Sequence, residues 1–248
     1  MRLVDLSVTL APDADWAPRW ARNKVKRQSH RFGAFAVWFV TRLRRKYLRN
    51  GLGWANDVIE LSTHGTTHLD APWHMTPVSE GQPAKTIDRV PLEWCYGDGV
   101  LLDFRECASG YVITDDDVKA ELKRMDYELK PKDIVINWTG AGDYNTEERY
   151  RTDHPGMSAA ATRWLISQGV RMMGCDAITF DPPVWAMFEK KLFWEAHRVM
   201  WDEEYWHLEN MMNLGAIGRQ HGFTLSVLPV KWSATTAAPV RAVAIVED

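Results

Sequence analysis

The densest group of chemically active side chains lies in residues 64–74, which read His-Gly-Thr-Thr-His-Leu-Asp-Ala-Pro-Trp-His. This short segment holds His64, His68, Asp70 and His74. Imidazole and carboxylate groups are ligands that divalent metals such as Zn²⁺ and Mn²⁺ accept. If the four side chains converge, a bound cation is the usual means of holding them together. The segment therefore predicts a metal site in preference to four unrelated core or surface residues.

The spacing within the segment indicates a curled, mostly extended chain. Gly65, Pro72 and the threonines disfavour a regular helix, and no Glu follows His64, which excludes a zincin helix. Even offsets place side chains on one side of an extended chain, so His68 and Asp70 can reach the same ion. A fully extended chain would separate His64 from His68 by about 13 Å. A curl is therefore expected, and Gly65 makes it easy.

A second pair of possible ligands, His197 and Glu209, lies twelve residues apart late in the chain. One straight helix would place them far apart along its axis, so we expect a break between them. His207 precedes Glu209 by two residues and would point the same way on a strand. For His207 the sequence favours a packing or hydrogen-bonding role.

Composition describes an ordinary globular protein. The 248 residues are 46% hydrophobic and 25% charged, with a net charge of −3 and 13 Trp. The three cysteines are widely spaced without a C-x-x-C motif, which argues against a disulfide framework or a thiolate zinc site. No signal-like apolar segment and no run of about 20 apolar residues is present. We expect a cytoplasmic protein with no membrane partner.

Strands and helices alternate irregularly, which predicts one α/β domain over residues 1–248. A stretch without Asp or Glu, residues 19–49, indicates a basic insert at about 19–50. The expected strands are 3–10, 58–61, 99–104, 133–138, 170–175, 223–228 and 240–246. The expected helices are 35–49, 114–124, 157–168 and 184–201.

The segment Ser62-Thr-His64-Gly-Thr-Thr-His68-Leu-Asp70-Ala-Pro72-Trp-His74 resembles the signature of the metal-dependent cyclase-type hydrolases, which include bacterial kynurenine formamidase and isatin hydrolase. Further stretches agree, and the matches run nearly from end to end: Val4-Asp-Leu-Ser7, His154-Pro-Gly-Met-Ser158, Gly174-Cys-Asp176 and Leu208-Glu-Asn210. Two departures stand out: Thr66 occupies a position where the family usually has Gly, and the basic insert is longer than in the formamidases, so it is expected to shape the substrate pocket.

The resemblance implies a mixed-sheet domain of the swivelling β/β/α type, usually a homodimer or a higher homo-oligomer. It also implies a role for each matched residue: metal ligation by His64, His68, Asp70, His197 and Glu209, with Asp70 able to bridge two ions; general acid/base catalysis by His74; and substrate contact by Trp16 and, more weakly, Trp73. The cofactor would be one or two divalent ions, Zn or Mn.

A divalent ion held by such ligands lowers the pKa of a bound water toward about 7, and the resulting hydroxide attacks a carbonyl carbon. Proton transfer to the leaving atom suits His74, because histidine titrates near about 6.5. We therefore predict a hydrolase that opens or cleaves a small cyclic amide, aryl formamide or lactone. The substrate would be aromatic or cyclic. It could also be anionic, because the arginines of the insert would attract a negative charge.

Three other functions are compatible with parts of the sequence. The same ion could serve an isomerase or lyase that acts on a small carbonyl compound through an enolate. The basic insert, with its interleaved aromatic residues, invites a nucleic-acid hypothesis, which the acidic remainder of the chain disfavours. A non-catalytic metal carrier is disfavoured because every matched ligand and base position holds a suitable residue.

Overall fold

A computed structural model describes residues 1–10 and 23–247. The chain divides into two compact units, which we treat separately. The larger unit comprises Met1–Thr9 and Thr66–Asp248, and the smaller one comprises Leu10–Gly65. Trp16 lies outside the described residues, so its predicted contact with substrate remains a prediction. Likewise, the expectation of one domain over residues 1–248 remains a prediction.

The strands of the described residues are β1 (Arg2–Asp5), β2 (Lys24–Gln28), β3 (Asn56–Glu60), β4 (His68–Asp70), β5 (Val78–Ser79), β6 (Gln82–Pro83), β7 (Tyr96–Asp103), β8 (Val112–Ile113), β9 (Ile134–Trp138), β10 (Gly156–Met157), β11 (Met172–Cys175), β12 (Trp206–Glu209), β13 (Phe223–Ser226), β14 (Ala237–Pro239) and β15 (Val243–Val246). The helices are α1 (His30–Thr41), α2 (Asp115–Arg124), α3 (Ala159–Ser167), α4 (Val184–Lys190) and α5 (Glu195–Arg198). No helix among these residues is long and apolar enough to cross a membrane.

The larger unit is built on a mixed sheet. Among the described residues its nine strands run in the order β1-β15-β13-β7-β9-β11-β12-β4-β14. Strands β7, β9, β11 and β12 are parallel to their neighbours within that group, whereas β4 pairs with β12 and β14 in the antiparallel sense. The predicted α/β class with a mixed sheet is confirmed. The parallel strands β9 and β11 are buried almost throughout, as expected where layers cover both faces.

Capping residues fix the two helices that follow β8 and β10. Thr114 and Asp117 form a reciprocal capping box at the start of α2. At α3, Ser158 Oγ accepts a hydrogen bond from the Ala161 amide at 3.1 Å. Beyond α3 the chain turns at Gly169, whose φ of 87° suits glycine. These helices lie within one residue or two of their predicted bounds.

The smaller unit contains an antiparallel pair and one helix. Strand β2 pairs with β3 so that Lys24 stands opposite Glu60. The helix predicted over 35–49 instead spans His30–Thr41, because Ser29 caps its start and the left-handed Arg42, with φ 59°, ends it. Only short 3₁₀ turns follow, at Arg45–Tyr47 and Arg49–Gly51.

The helix predicted over 184–201 is broken into pieces. Lys191 and Trp194 both have left-handed backbone conformations, with φ of 55° and 47°. Such residues end a right-handed helix, so α4 stops at Lys190 and α5 begins anew at Glu195. The chain then enters β12. The expected break between His197 and Glu209 is present, since these residues lie on α5 and β12.

Candidate metal centre

Two adjacent strands supply four of the candidate ligands. In the β4–β12 pair, Asp70 stands opposite His207, and His68 stands opposite Glu209. Alternation along both strands therefore places all four side chains on one face of the sheet. Leu69 and Leu208, opposite each other between them, belong to the hydrophobic core on the other face. This strict alternation of apolar and ionisable residues forces the four polar groups together.

Helix α5 adds His197 to the group. Its Nε2 lies 3.8 Å from Asp70 Oδ2 and 3.5 Å from Glu209 Oε1. The His207 Nε2 lies 3.4 Å and 3.3 Å from the same two oxygens, and 3.2 Å from His197 Nε2. Asp70, His197, His207 and Glu209 thus form a buried group whose ligand atoms all lie within 4.8 Å of one another.

The other oxygen of each carboxylate faces His68. The Nε2 atom of His68 lies 3.1 Å from Asp70 Oδ1 and 3.6 Å from Glu209 Oε2. Asp70 and Glu209 therefore each present one oxygen to His68 and the other to the pair His197 and His207. Two carboxylates that each face two sets of imidazoles can bridge two cations.

Hydrogen bonds at the far side of two rings fix which nitrogen faces the carboxylates. His68 Nδ1 lies 2.7 Å from the Thr66 carbonyl oxygen, and His197 Nδ1 lies 2.6 Å from Asp181 Oδ2. Both partners accept, so each Nδ1 carries the hydrogen and each Nε2 directs a lone pair at the carboxylates. Lone pairs facing carboxylate oxygens repel unless a cation lies between them. The donor set therefore fits a divalent metal.

Asp181 positions His197 by a second route as well. Its two oxygens accept the backbone amides of Ala196 at 2.9 Å and of His197 at 3.1 Å. The carboxylate thus caps the first turn of α5 while it orients the imidazole. Sequence reasoning did not single out Asp181, because its partner lies sixteen residues away along the chain.

Protonation shows how strongly the cluster attracts positive charge. Burial opposes the charged form of His207, but hydrogen bonds with Asp70 and Glu209 raise the pKa of its imidazole to about 9. Burial likewise opposes a charge on His68, yet Asp70 raises its pKa. Burial also opposes ionisation of Glu209, but its hydrogen bond with His207 lowers its pKa to about 2. Metal binding would displace such protons.

The other predicted site residues fall in different places. The Nε2 atom of His74 lies 3.9 Å from Asp70 Oδ2, and its side chain is 35% exposed. Trp73, in the same 3₁₀ turn, is 43% exposed. His64 lies in a turn at the C-terminal end of the smaller unit, where Gly65 N–H donates to the Ser62 carbonyl oxygen. The roles of these three residues remain predictions.

His207 is the cluster member that sequence reasoning underrated. Its ring is fully buried, and its Nε2 contacts both carboxylates. Its spacing of two residues from Glu209 already indicated that the two side chains share one face of a strand. A histidine beside a carboxylate on a strand is nevertheless common in packing roles, and only the pairing of β12 with β4 brings it opposite Asp70.

Asp176 is a structural neighbour of the cluster. Its carboxylate accepts the Thr139 amide at 2.7 Å, the Thr139 hydroxyl at 2.6 Å and the Gly140 amide at 3.0 Å. Burial raises the pKa of Asp176 to about 6. This residue ties the turn after β9 to the end of β11.

Comparison with proteins of known structure places this fold in a class. Isatin hydrolase A from Labrenzia aggregata, bound to benzyl benzoate, superposes with a TM-score of 0.80 and 22% identity, over 100% of this chain and 94% of that one. Isatin hydrolase A from Ralstonia solanacearum superposes with a TM-score of 0.78 and 22% identity, over 99% of this chain and 92% of that one. These likenesses establish the cyclase-like fold that the sequence resemblance implies.

Sequence comparison identifies the family. Residues 4–182 match the model of the Cyclase family, described as "Putative cyclase", and the chain belongs to that family. Kynurenine formamidase from Erythrobacter litoralis (strain HTCC2594) is 30% identical over 122 residues. That match spans 49% of this chain and 49% of the formamidase, so it covers about half of each protein. The predicted family is confirmed.

Replacing Asp181 with Asn tests the support of His197. Because the carboxylate fixes the ring tautomer, Asp181→Asn should weaken metal binding by about 10–100-fold. Chelator competition with elemental analysis measures this affinity. Asp202→Asn is the matched control, since Asp202 is exposed and pairs only with Arg163 among the contacts of the described residues. Equal affinity in both variants would refute the positioning role.

Proposed function

We propose that this protein is a metal-dependent hydrolase that cleaves the C–N bond of a small aryl formamide or cyclic amide. The observation that carries the proposal is the pair of buried carboxylates, Asp70 and Glu209, each facing His68 with one oxygen and His197 with the other. Hydrolases that use two metal ions have ligand sets of this kind. The names of the related proteins, a formamidase and isatin hydrolases, agree with this reaction class.

The proposed metal ligands are His64, His68, Asp70, His197 and Glu209, which would hold one or two ions. When bound, a divalent cation lowers the pKa of a coordinated water and polarises a substrate carbonyl. Imidazole and carboxylate ligands without thiolate suit both Zn²⁺ and Mn²⁺. Asp181 and the Thr66 carbonyl hold the rings of His197 and His68 with their Nε2 atoms toward the carboxylates.

His74 is the proposed general acid and base. It lies at the edge of the buried cluster, with Nε2 3.9 Å from Asp70 Oδ2 and a side chain that is 35% exposed. This position places the imidazole between the buried carboxylate and solvent. The imidazole can take a proton at Nε2 from the attacking water and deliver it to the leaving nitrogen.

Aromatic side chains beside the cluster favour a flat substrate. The ring of Trp194 lies 6.3 Å from that of His197, measured between centroids, and Phe193 lies 4.5 Å from Trp194. Phe193 is 48% exposed, so this aromatic surface extends outward from the buried ligands. We propose Trp16 and Trp73 as further substrate contacts. Trp73 is 43% exposed and immediately precedes His74 in the sequence.

The alternatives are less well supported. A lactone remains open within the hydrolase class, because its carbonyl would be attacked in the same way. An isomerase or lyase is not favoured, since the related proteins are named as hydrolases and a formamidase. We further propose a cytoplasmic homodimer or higher homo-oligomer without a nucleic-acid or membrane partner, as the family resemblance and composition suggest.

Product mass tests the reaction class. Protein loaded with Zn²⁺ or Mn²⁺ should convert an aryl formamide or an isatin-like cyclic amide, and mass spectrometry should show the addition of one water across substrate and products. An isomerase would leave the mass unchanged. Absence of turnover of amides and lactones by metal-replete protein would contradict the proposal.

Replacing His74 with Gln separates proton transfer from metal binding. His74→Gln should lower kcat by about 10²–10⁴-fold while metal content stays at the wild-type level. Steady-state kinetics beside elemental analysis measures both quantities. His221→Gln is the control, because His221 lies against Tyr127 and away from the cluster. If His74→Gln retains wild-type kcat, His74 is not the acid/base.

A further inference from the structure

We propose that His207 is itself a metal ligand, which completes a four-donor position with Asp70, His197 and Glu209. The inference rests on the proposed function in one respect only, the presence of a divalent ion in this cluster. It does not depend on which bond is cleaved. Nothing in the sequence resemblance assigns a role to His207.

The separations between donor atoms match those around one small ion. Around a tetrahedral ion with metal–donor distances of about 2.0–2.2 Å, neighbouring donors lie roughly 3.3–3.6 Å apart. The His207 Nε2 lies 3.2 Å from His197 Nε2, 3.3 Å from Glu209 Oε1 and 3.4 Å from Asp70 Oδ2. His197 Nε2 lies 3.5 Å from the same Glu209 oxygen and 3.8 Å from the same Asp70 oxygen. Five of the six edges of such a tetrahedron are thus close to the expected length.

The surroundings of the His207 ring hold Nε2 in this position. The imidazole is stacked on Phe180 at 5.0 Å and on Tyr205 at 5.6 Å, with interplanar angles of 17° and 28°. Tyr205 is itself anchored, because its hydroxyl donates to the Ala196 carbonyl oxygen at 2.8 Å. Among the described residues, Nδ1 of His207 has no hydrogen-bond partner. The polar contacts of this buried ring therefore all run through Nε2, into the cluster.

A fourth protein ligand would make this metal position a structural one. Metal sites closed by four protein ligands are structural, whereas catalytic sites keep one position open for water or substrate. With His207 bound, a four-coordinate ion between His197 and the two carboxylates would have no vacancy for solvent. We therefore expect this ion to exchange slowly and to hold the carboxylates of Asp70 and Glu209 in place. We assign water activation to the other metal position, beside His68.

Cobalt substitution of the whole protein tests the assignment without reference to activity. Co²⁺-loaded wild type should show the intense visible bands of a four-coordinate ion and should release one ion slowly to a chelator. His207→Gln should lose those bands and release that ion at least tenfold faster, because one ligand is gone. His221→Gln, a histidine substitution away from the cluster, should behave as wild type.

The possible outcomes separate this inference from the proposed function. Unchanged bands and release rate in a folded His207→Gln variant would show that His207 only donates a hydrogen bond, while the metal site and hydrolysis could still stand. Only weak, six-coordinate-type bands in wild type would also overturn the inference, and that measurement needs no variant. If wild type binds no Co²⁺, the metal premise of the proposed function fails as well. Thermal unfolding of the metal-free variants checks folding, and His207→Asn replaces Gln if the latter does not fold.

Discussion

The structure depends on two carboxylates buried among imidazole lone pairs. Asp70 and Glu209 lie inside the larger unit, and removing two negative charges from water costs several kcal/mol for each ion unless positive charge lies close by. The hydrogen bonds to Thr66 and Asp181 leave His68 and His197 with acceptor atoms toward those carboxylates. Protons can neutralise the group in part, as the raised pKa of His207 shows. A divalent cation supplies that positive charge and accepts the lone pairs that face it.

The rest of the fold keeps that group in place. The antiparallel pairing of β4 with β12 sets opposite residues on one face, and the leucines between them anchor both strands in the core. Residues with left-handed backbone conformations end the preceding helix before α5. His197 therefore approaches the two carboxylates from a separate element. Asp181 then joins the start of α5 to the imidazole it orients. A mixed sheet suits this task, because its antiparallel edge brings segments that are distant in the sequence side by side.

The sequence predicts the chemical types of the metal ligands better than it predicts the complete set of residues in the cluster. Residue types and even spacing single out His68 and Asp70, and the length of a helix requires a break between His197 and Glu209. The capped helix α2 and the parallel strands β9 and β11 are predicted to within two residues, because caps and apolar runs are local signals. Strand β12 is not among the predicted strands. His207 and Asp181 escape this reasoning, since their roles arise from strand pairing and from a contact sixteen residues away. The bounds of α1 and α4 differ from prediction because left-handed Arg42 and Lys191 carry no glycine signal.

The most direct test of the central claim is anomalous diffraction from crystals of the protein loaded with Zn²⁺ or Mn²⁺. We expect one or two peaks within the cluster, and two peaks would lie about 3.5–4 Å apart, the spacing of bridged two-metal sites. One peak should lie between His68 and the carboxylates, and the other between those carboxylates and His197. A peak at any other place, or none within this cluster, would contradict the claim that Asp70 and Glu209 are held together by bound cations.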